Sequence, residues 1–113
     1  MNIQIFGRGK CFETKKAERY FKERRIPFQS IDVLKKGMSP GELRNIKAAV
    51  GGLEALIDTQ ANGYAESTLA YAPSTQAKEA ILLEQPQFFK TPIVRNGKQA
   101  TVGYQPEIWK QWE

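Results

Sequence analysis

Four short runs of apolar residues alternate with stretches in which apolar residues recur every three or four positions. The short runs predict strands, and they lie at residues 3–6, 28–34, 92–95 and 100–102. The longer stretches have the spacing of amphipathic helices, and they lie at residues 11–24, 39–50, 74–84 and 105–112. Residues 53–85 show no strand pattern, so we expect this central segment to be helical or irregular.

Local signals mark several ends of these elements. Ser39 and Glu42 have the spacing of a capping box at a helix start, and Gly51 with Gly52 is typical of a helix end. Asn96–Gly97 predicts a hairpin turn between the last two strands. The positions predicted to point into the core are Thr14, Ala17, Tyr20, Phe21, Ile31, Val33, Leu43, Ile46, Ala49, Val50, Ile108 and Trp109.

The predicted order of elements is β-α-β-α, a helical insert, and then β-β-α. A βαβ unit gives a parallel strand pair through a right-handed crossover, and a closing hairpin adds two further strands. We therefore predict one α/β domain over residues 1–113, with a four-stranded mixed sheet and flanking helices. This is the thioredoxin/glutaredoxin arrangement, in which the turn after the first strand presents a reactive group at a helix N-terminus.

The composition narrows the chemistry that this fold can carry. The chain is 41% hydrophobic and 26% charged, and it contains one cysteine and no histidine. The lack of histidine excludes Ser-His-Asp and Cys-His mechanisms and any zinc site that needs imidazole, so we expect no metal. A lone thiol suits a reducing compartment, and neither a signal peptide nor a membrane span is predicted, so we expect a cytoplasmic protein.

The net charge of +5 is concentrated in the first half of the chain. Residues 1–50 hold 12 Lys/Arg against 5 Asp/Glu, whereas residues 51–113 hold 5 against 7. A basic half of this kind fits an acidic protein or an anionic small molecule, and it also fits an ordinary solvated helix face. No aromatic residues interleave with the charges to stack on bases, so nucleic acid is not the expected partner.

The single cysteine, Cys11, is the candidate reactive group. It lies where the first strand gives way to a helix, and a helix N-terminus stabilises an anion and lowers the pKa of a thiol. Arg8, Lys10, Lys15 and Lys16 flank it and are expected to act in the same direction. The alternative is a buried, inert cysteine that packs as a small apolar side chain.

Two further residues belong to this candidate site. Thr14 stands three residues after Cys11, where a redox pair would keep its second cysteine, so no internal disulfide can form. Its hydroxyl could donate to a thiolate or serve only the first turn of the helix. Pro92, in Lys90-Thr91-Pro92, opens the third strand; such a proline is commonly cis and beside the cysteine in thioredoxin-like domains, although most X–Pro bonds are trans.

The order and spacing of several motifs resemble those of the ArsC/Spx family over essentially the whole chain. These motifs are Ile-Phe-x4-Cys, Gly51-Gly52, the central insert, Thr91-Pro92-Ile93-Val94 and Val102-Gly103-Tyr104-x2-Glu107-Ile108. The resemblance implies a thioredoxin fold with a helical insert, with Cys11 at the position of the catalytic cysteine. The family includes glutaredoxin-coupled arsenate reductases and Spx-type regulators that bind the RNA polymerase α subunit.

The chain departs from both kinds of relative. Arsenate reductases of the family surround the cysteine with three arginines, and at the matching positions we place Gln60, Lys90 and Tyr104. Lysine lacks the planar fork that holds an oxyanion, so we predict poor arsenate reduction. Spx-type regulators usually carry Cys-x-x-Cys, which Thr14 interrupts. Gly52 matches the glycine that they use against the polymerase, although a helix C-cap is the simpler explanation of this residue.

The sequence thus predicts a monothiol oxidoreductase that works through Cys11 with glutathione or glutaredoxin. Thr14, Lys15 and Lys90 would support the thiolate, while Arg8 and Lys10 would attract an acidic substrate. Glutathione is expected as a co-substrate and no bound cofactor is expected. The alternatives are an Spx-like adaptor that binds the RNA polymerase α subunit or another acidic protein, using Gly52, and a family member without redox activity.

Overall fold

The computed structural model describes all residues, 1–113, and contains four strands and five helices. The strands are β1 (Ile3–Gly7), β2 (Phe28–Asp32), β3 (Ile93–Asn96) and β4 (Gln99–Val102). The helices are α1 (Phe12–Glu23), α2 (Val33–Lys36), α3 (Pro40–Val50), α4 (Thr75–Glu84) and α5 (Pro106–Trp112). Two short 3₁₀ helices lie at Leu53–Leu56 and Pro86–Phe88. Residues 53–85, in which no strand was predicted, contain none, and that prediction is confirmed.

The four strands form one mixed sheet in the order β2-β1-β3-β4. β1 runs parallel to β2 and antiparallel to β3, and β3 and β4 form an antiparallel hairpin. The mixed sheet and the hairpin predicted from the sequence are therefore confirmed. The turn lies one residue later than predicted, because Asn96 pairs with Gln99 and leaves Gly97 and Lys98 at the tip.

Two apolar clusters cover the faces of the sheet. One contains Ile3, Ile5, Ala17, Tyr20, Phe21, Val94 and Trp109. The other combines Phe6, Ile31 and Ile93 with side chains of α3 and the central insert. Trp109 is buried and its indole N–H donates to Thr101 Oγ1 at 2.8 Å. The buried Trp109 explains how the short, seven-residue α5 stays packed on the sheet. Replacing a core tryptophan by alanine typically lowers the free energy of unfolding by about 3–5 kcal/mol.

Some predicted element ends and core positions are wrong. The second strand ends at Asp32, whose side chain accepts a hydrogen bond from Leu34 N at 3.0 Å and starts α2. Val33 is buried as predicted, but it lies in that helix. Ile108 is 40% exposed because Trp109 occupies the inward face of α5. Ala49 is also exposed, on the outer side of α3.

Gly7 and Thr14 bring the end of β1 into direct contact with the first turns of α1. A β-carbon on Gly7 would lie 2.2 Å from Thr14 Cγ2 and 2.7 Å from Thr14 Oγ1. These distances are far below van der Waals contact, so the approach requires a residue without a side chain. It places the N-terminus of α1, and with it Cys11, at the end of β1.

The longest helix has 12 residues. No helix combines the length and the apolar character that crossing a bilayer requires.

We predict that Gly7→Ala destabilises the protein by about 1–3 kcal/mol, since the added methyl group overpacks the contact with Thr14. Chemical denaturation measures the free energy of unfolding. Gly9→Ala is the matched control, because a β-carbon on Gly9 meets no atom within 4 Å. Equal stability of the two variants would show that the Gly7–Thr14 contact does not constrain the fold.

Candidate functional site

Cys11 occupies the N-cap of α1, with an extended backbone (φ −96°, ψ 114°). Its own N–H donates to the carbonyl of Arg8 at 3.2 Å, closing the turn that links β1 to the helix. The backbone N–H groups of Glu13 and Thr14, in the first turn of α1, lie near enough to the sulfur to lower the pKa of the thiol. The thiol thus lies at the positive end of a three-turn helix.

Thr91 faces Cys11 from the other side of the site. Its hydroxyl donates to Cys11 Sγ at 3.3 Å, and its carbonyl oxygen lies 3.6 Å from the same sulfur. The Thr91–Pro92 peptide bond is cis, as expected from the sequence, and Pro92 itself is buried at the start of β3. Thr91 was not predicted as a site residue; its position directly before the proline was the only signal for it.

The pKa of Cys11 is lowered although the thiol is half-buried. Burial by itself raises the pKa, and the nearby donors that favour the thiolate, namely the Thr14 and Thr91 hydroxyls and the backbone N–H groups of Thr14 and Glu13, outweigh that effect. The predicted direction is therefore confirmed. The predicted contribution of the helix N-terminus is confirmed by these backbone N–H groups, whereas the flanking lysines and arginines, also predicted to lower the pKa, are not among the causes.

Thr14 combines a packing role with an electrostatic one. Its side chain is 6% exposed and fills the space above Gly7. The Thr14 hydroxyl meets no partner in good hydrogen-bond geometry in this structure, yet it lies near enough to lower the pKa of Cys11. The two observations are compatible, because ionisation of the thiol would provide the unpaired hydroxyl with an acceptor.

Cys11 opens onto a cleft of about 590 Å³. Its walls come from the β1–α1 turn, the central insert and the two ends of the hairpin: Arg8, Phe12, Glu13, Ala55, Asp58, Lys90, Thr91, Val102 and Gly103. Two of these side chains are cations and two are anions, and Phe12 is 81% exposed at the rim. A cleft of this size admits a peptide-sized ligand beside the sulfur.

The structure brings only some of the predicted site residues to this cleft. Arg8 and Lys90 line it together with Cys11. Lys10 is exposed outside it. Lys15, which we predicted to be catalytic, lines a separate groove beside Glu18. The reason is that Cys11 precedes the helix, so the four-residue spacing to Lys15 does not put the two side chains on one helix face.

Of the three residues placed at the arginine positions of arsenate reductases, only Lys90 lines the cleft. Gln60 lies outside the cleft, and Asp58, two residues earlier, lies inside it. Tyr104 also lies outside, where it packs edge-on against Trp109 at 5.6 Å between ring centroids. The insert has no periodicity from which the inward residue could be found, so Asp58 was missed.

Gly51 and Gly52 end α3 as predicted. Gly51 is left-handed (φ 87°), and the N–H groups of both glycines donate to the Lys47 carbonyl at 3.1 and 3.0 Å. Gly52 has φ 147°, which favours glycine, and it lines a shallow groove with Lys47 and Ala48. The C-cap explanation of the pair is confirmed, and the role of Gly52 in partner binding stays a prediction.

No group of three or more histidine, cysteine, aspartate or glutamate side chains is arranged to hold a metal ion. The site therefore offers a thiol, hydroxyls, backbone N–H groups and a few charged side chains.

Comparison with known proteins agrees with this geometry. Residues 6–112 match the family model described as the ArsC family. A curated relative, the global transcriptional regulator Spx 2 of Oceanobacillus iheyensis, is 27% identical over an alignment of 128 residue positions. The alignment covers 100% of this chain and 94% of the relative.

Two solved structures superpose over nearly the whole chain. An arsenate reductase from Vibrio cholerae has a TM-score of 0.86 at 25% identity, with 98% of this chain and 97% of that chain covered. An ArsC family related protein from Bacteroides fragilis has a TM-score of 0.87 at 20% identity, with 100% and 98% covered, and shows the fold alone. The predicted thioredoxin-like fold with a helical insert is confirmed.

We predict that Thr91→Val raises the pH at which Cys11 becomes reactive. The substitution removes the hydroxyl donor at 3.3 Å, one of the groups that lower the pKa of the thiol. The rate of alkylation by iodoacetamide, followed against pH, measures this midpoint.

Thr91→Ser is the matched control, because it keeps the hydroxyl and is expected to keep the midpoint. Coincident profiles for Thr91→Val and the unaltered protein would show that this hydroxyl does not stabilise the thiolate.

Proposed function

The chain belongs to the ArsC family, and from this membership and the geometry around Cys11 we propose that it is a monothiol oxidoreductase acting on mixed disulfides of glutathione. One observation carries the proposal. The lone thiol, with a lowered pKa, opens onto a cleft between a helix N-terminus and the hydroxyl of Thr91. A thiolate is the nucleophile in thiol–disulfide exchange, so this environment suits that reaction.

The proposed reaction has two exchange steps. The Cys11 thiolate attacks the glutathione sulfur of a mixed disulfide, the S–S bond breaks, and the substrate sulfur leaves as a thiolate that takes a proton from solvent. Cys11 now carries glutathione through a new disulfide. A second glutathione, as its thiolate, attacks the bound glutathione sulfur, which releases oxidised glutathione and restores the Cys11 thiolate. A glutaredoxin thiol can take the place of the second glutathione.

The absence of a second cysteine determines this route. Cys11 is the only thiol in the chain, so no internal disulfide can release the bound group and the resolving thiol must come from outside. The backbone N–H groups of Glu13 and Thr14 and the Thr91 hydroxyl would stabilise both the attacking and the departing Cys11 sulfur. Lys90 would attract the carboxylates of glutathione from the wall of the cleft.

Arsenate is a poor fit for the same cleft. A tetrahedral oxyanion needs convergent charged donors, and arginine provides them through its planar fork. The cleft instead pairs Arg8 and Lys90 with two carboxylates, those of Glu13 and Asp58. Asp58, on the insert, lines the same cleft as Cys11, and its charge would repel an oxyanion there. We therefore expect slow arsenate reduction in this protein.

We predict that oxidised glutathione adds one glutathione to the protein and that reduced glutathione or glutaredoxin removes it. Intact-mass spectrometry measures both steps, and turnover of a glutathione mixed disulfide is followed by coupling to glutathione reductase. Cys11→Ser abolishes the adduct and the turnover, because no other thiol is present. A protein that forms no adduct, or that turns over equally well after Cys11→Ser, would overturn the proposal.

An adaptor function is the second candidate, and the Spx 2 relative favours it. In this case the surface around Gly52 would contact the RNA polymerase α subunit, and Cys11 would act as a sensor or not at all. Because Gly52 has a conformation that favours glycine, Ala48→Glu on the same groove is the cleaner variant. An α-subunit pull-down that survives Cys11→Ser but is lost with Ala48→Glu would favour the adaptor.

A further inference from the structure

We propose that Arg8 and Asp58 together form a subsite for the zwitterionic amino-acid end of a thiol substrate, which in glutathione is the γ-glutamyl group. The inference rests on the proposed function, since it concerns a ligand that reacts at Cys11. Asp58 would thereby contribute to substrate choice. Its carboxylate would bind the ammonium group of the substrate, and the Arg8 guanidinium would bind the α-carboxylate of the substrate.

The two side chains come from opposite walls of the cleft. Arg8 lies in the turn between β1 and α1, and Asp58 lies in the central insert, 50 positions later. Arg8 Nη2 is 4.0 Å from Asp58 Oδ2, at the limit of an ion pair. Both line the cleft into which Cys11 opens, so a ligand joined to the sulfur lies within the reach of both charges.

The contact between Arg8 and Asp58 leaves both charged groups accessible to a ligand. The side chains of Arg8 and Asp58 keep 31% and 27% of their surface exposed. The only other contact of the guanidinium is a marginal one, from Nη1 to the carbonyl of Gln87 at 3.5 Å. Asp58 Oδ1 accepts the N–H of Gln60 at 3.0 Å, while Oδ2 accepts no hydrogen bond and makes only the long contact with Arg8 Nη2. A long, half-exposed ion pair contributes little to stability and leaves both groups able to bind a second partner.

The opposite signs of the Arg8 and Asp58 charges indicate the class of ligand that they would bind. A cation and an anion about 4 Å apart complement an α-amino and an α-carboxylate group on one carbon, arranged head to tail. A substrate with only negative charges would gain from Arg8 and be repelled by Asp58. The pair therefore distinguishes a γ-glutamyl end from a fully anionic end of similar size, which a cleft lined by cations alone would not do.

The test compares two disulfides that differ only in the ammonium group: oxidised glutathione and its N-acetylated form. The readout is the second-order rate of adduct formation at Cys11, measured by intact-mass spectrometry under identical pH and salt. We expect the unaltered protein to prefer oxidised glutathione by roughly three- to tenfold, as is reasonable for one charge contact in a half-exposed site. Asp58→Asn should reduce this preference to about onefold, chiefly by slowing the reaction with oxidised glutathione.

Three features keep the result interpretable. Asp58→Asn retains a side-chain oxygen for the Gln60 N–H, so the local turn is preserved. Asp58→Glu keeps the charge and should keep a preference. Glu66→Gln is the matched control, since it removes an exposed carboxylate that does not line the cleft and should leave the ratio unchanged.

The outcomes separate the two proposals. Equal rates for the two disulfides in the unaltered protein, or an unchanged ratio in Asp58→Asn, would overturn the subsite, while adducts at Cys11 from both disulfides would leave the proposed function standing. Absence of any adduct would overturn both proposals.

Discussion

The close approach of Thr14 to Gly7 is the constraint on which the rest of the site depends. Because the β1 end at Gly7 carries no side chain, α1 can begin directly against it, with a Thr14 methyl group in the space that a β-carbon would fill. This contact fixes the N-terminus of α1 at the edge of the sheet where β3 begins. Cys11 and Thr91 are 80 residues apart in sequence, and the Thr91 hydroxyl oxygen thereby lies 3.3 Å from Cys11 Sγ.

Around Cys11, one set of groups stabilises the thiolate and a second set lines the cleft that would bind a substrate. Neutral donors, namely hydroxyls and backbone N–H groups, lower the pKa of Cys11 and overcome the burial that would raise it. They are fixed in position and act at short range, so salt screens them little. The charged side chains of the cleft are left for recognition, and in our proposal their mixed signs favour zwitterionic thiols over oxyanions. Thiolate formation and substrate choice can therefore change independently in this fold.

Much of the fold could be predicted from the sequence, because hydrophobic spacing and capping signals determine the order of strands and helices. Cys11 could be placed for the same reason, since it stands at a predicted strand–helix turn. Thr91 and Asp58 could not be assigned, because their importance arises from tertiary contacts across the cleft. Lys15 lines a different groove from Cys11, and sequence spacing alone could not show this because the cysteine lies before the helix.

The ionisation of Cys11 tests the central claim most directly. The ultraviolet absorbance of the thiolate, recorded against pH and corrected with Cys11→Ser, gives the pKa of this one thiol without any substrate. Since hydrogen bonds favour the charged form, the midpoint should lie below the value of about 8.5 of a free cysteine, and the thiolate fraction at neutral pH should be correspondingly higher. A midpoint at or above that value would contradict the account, because burial would then dominate and Cys11 would be an unreactive packing residue.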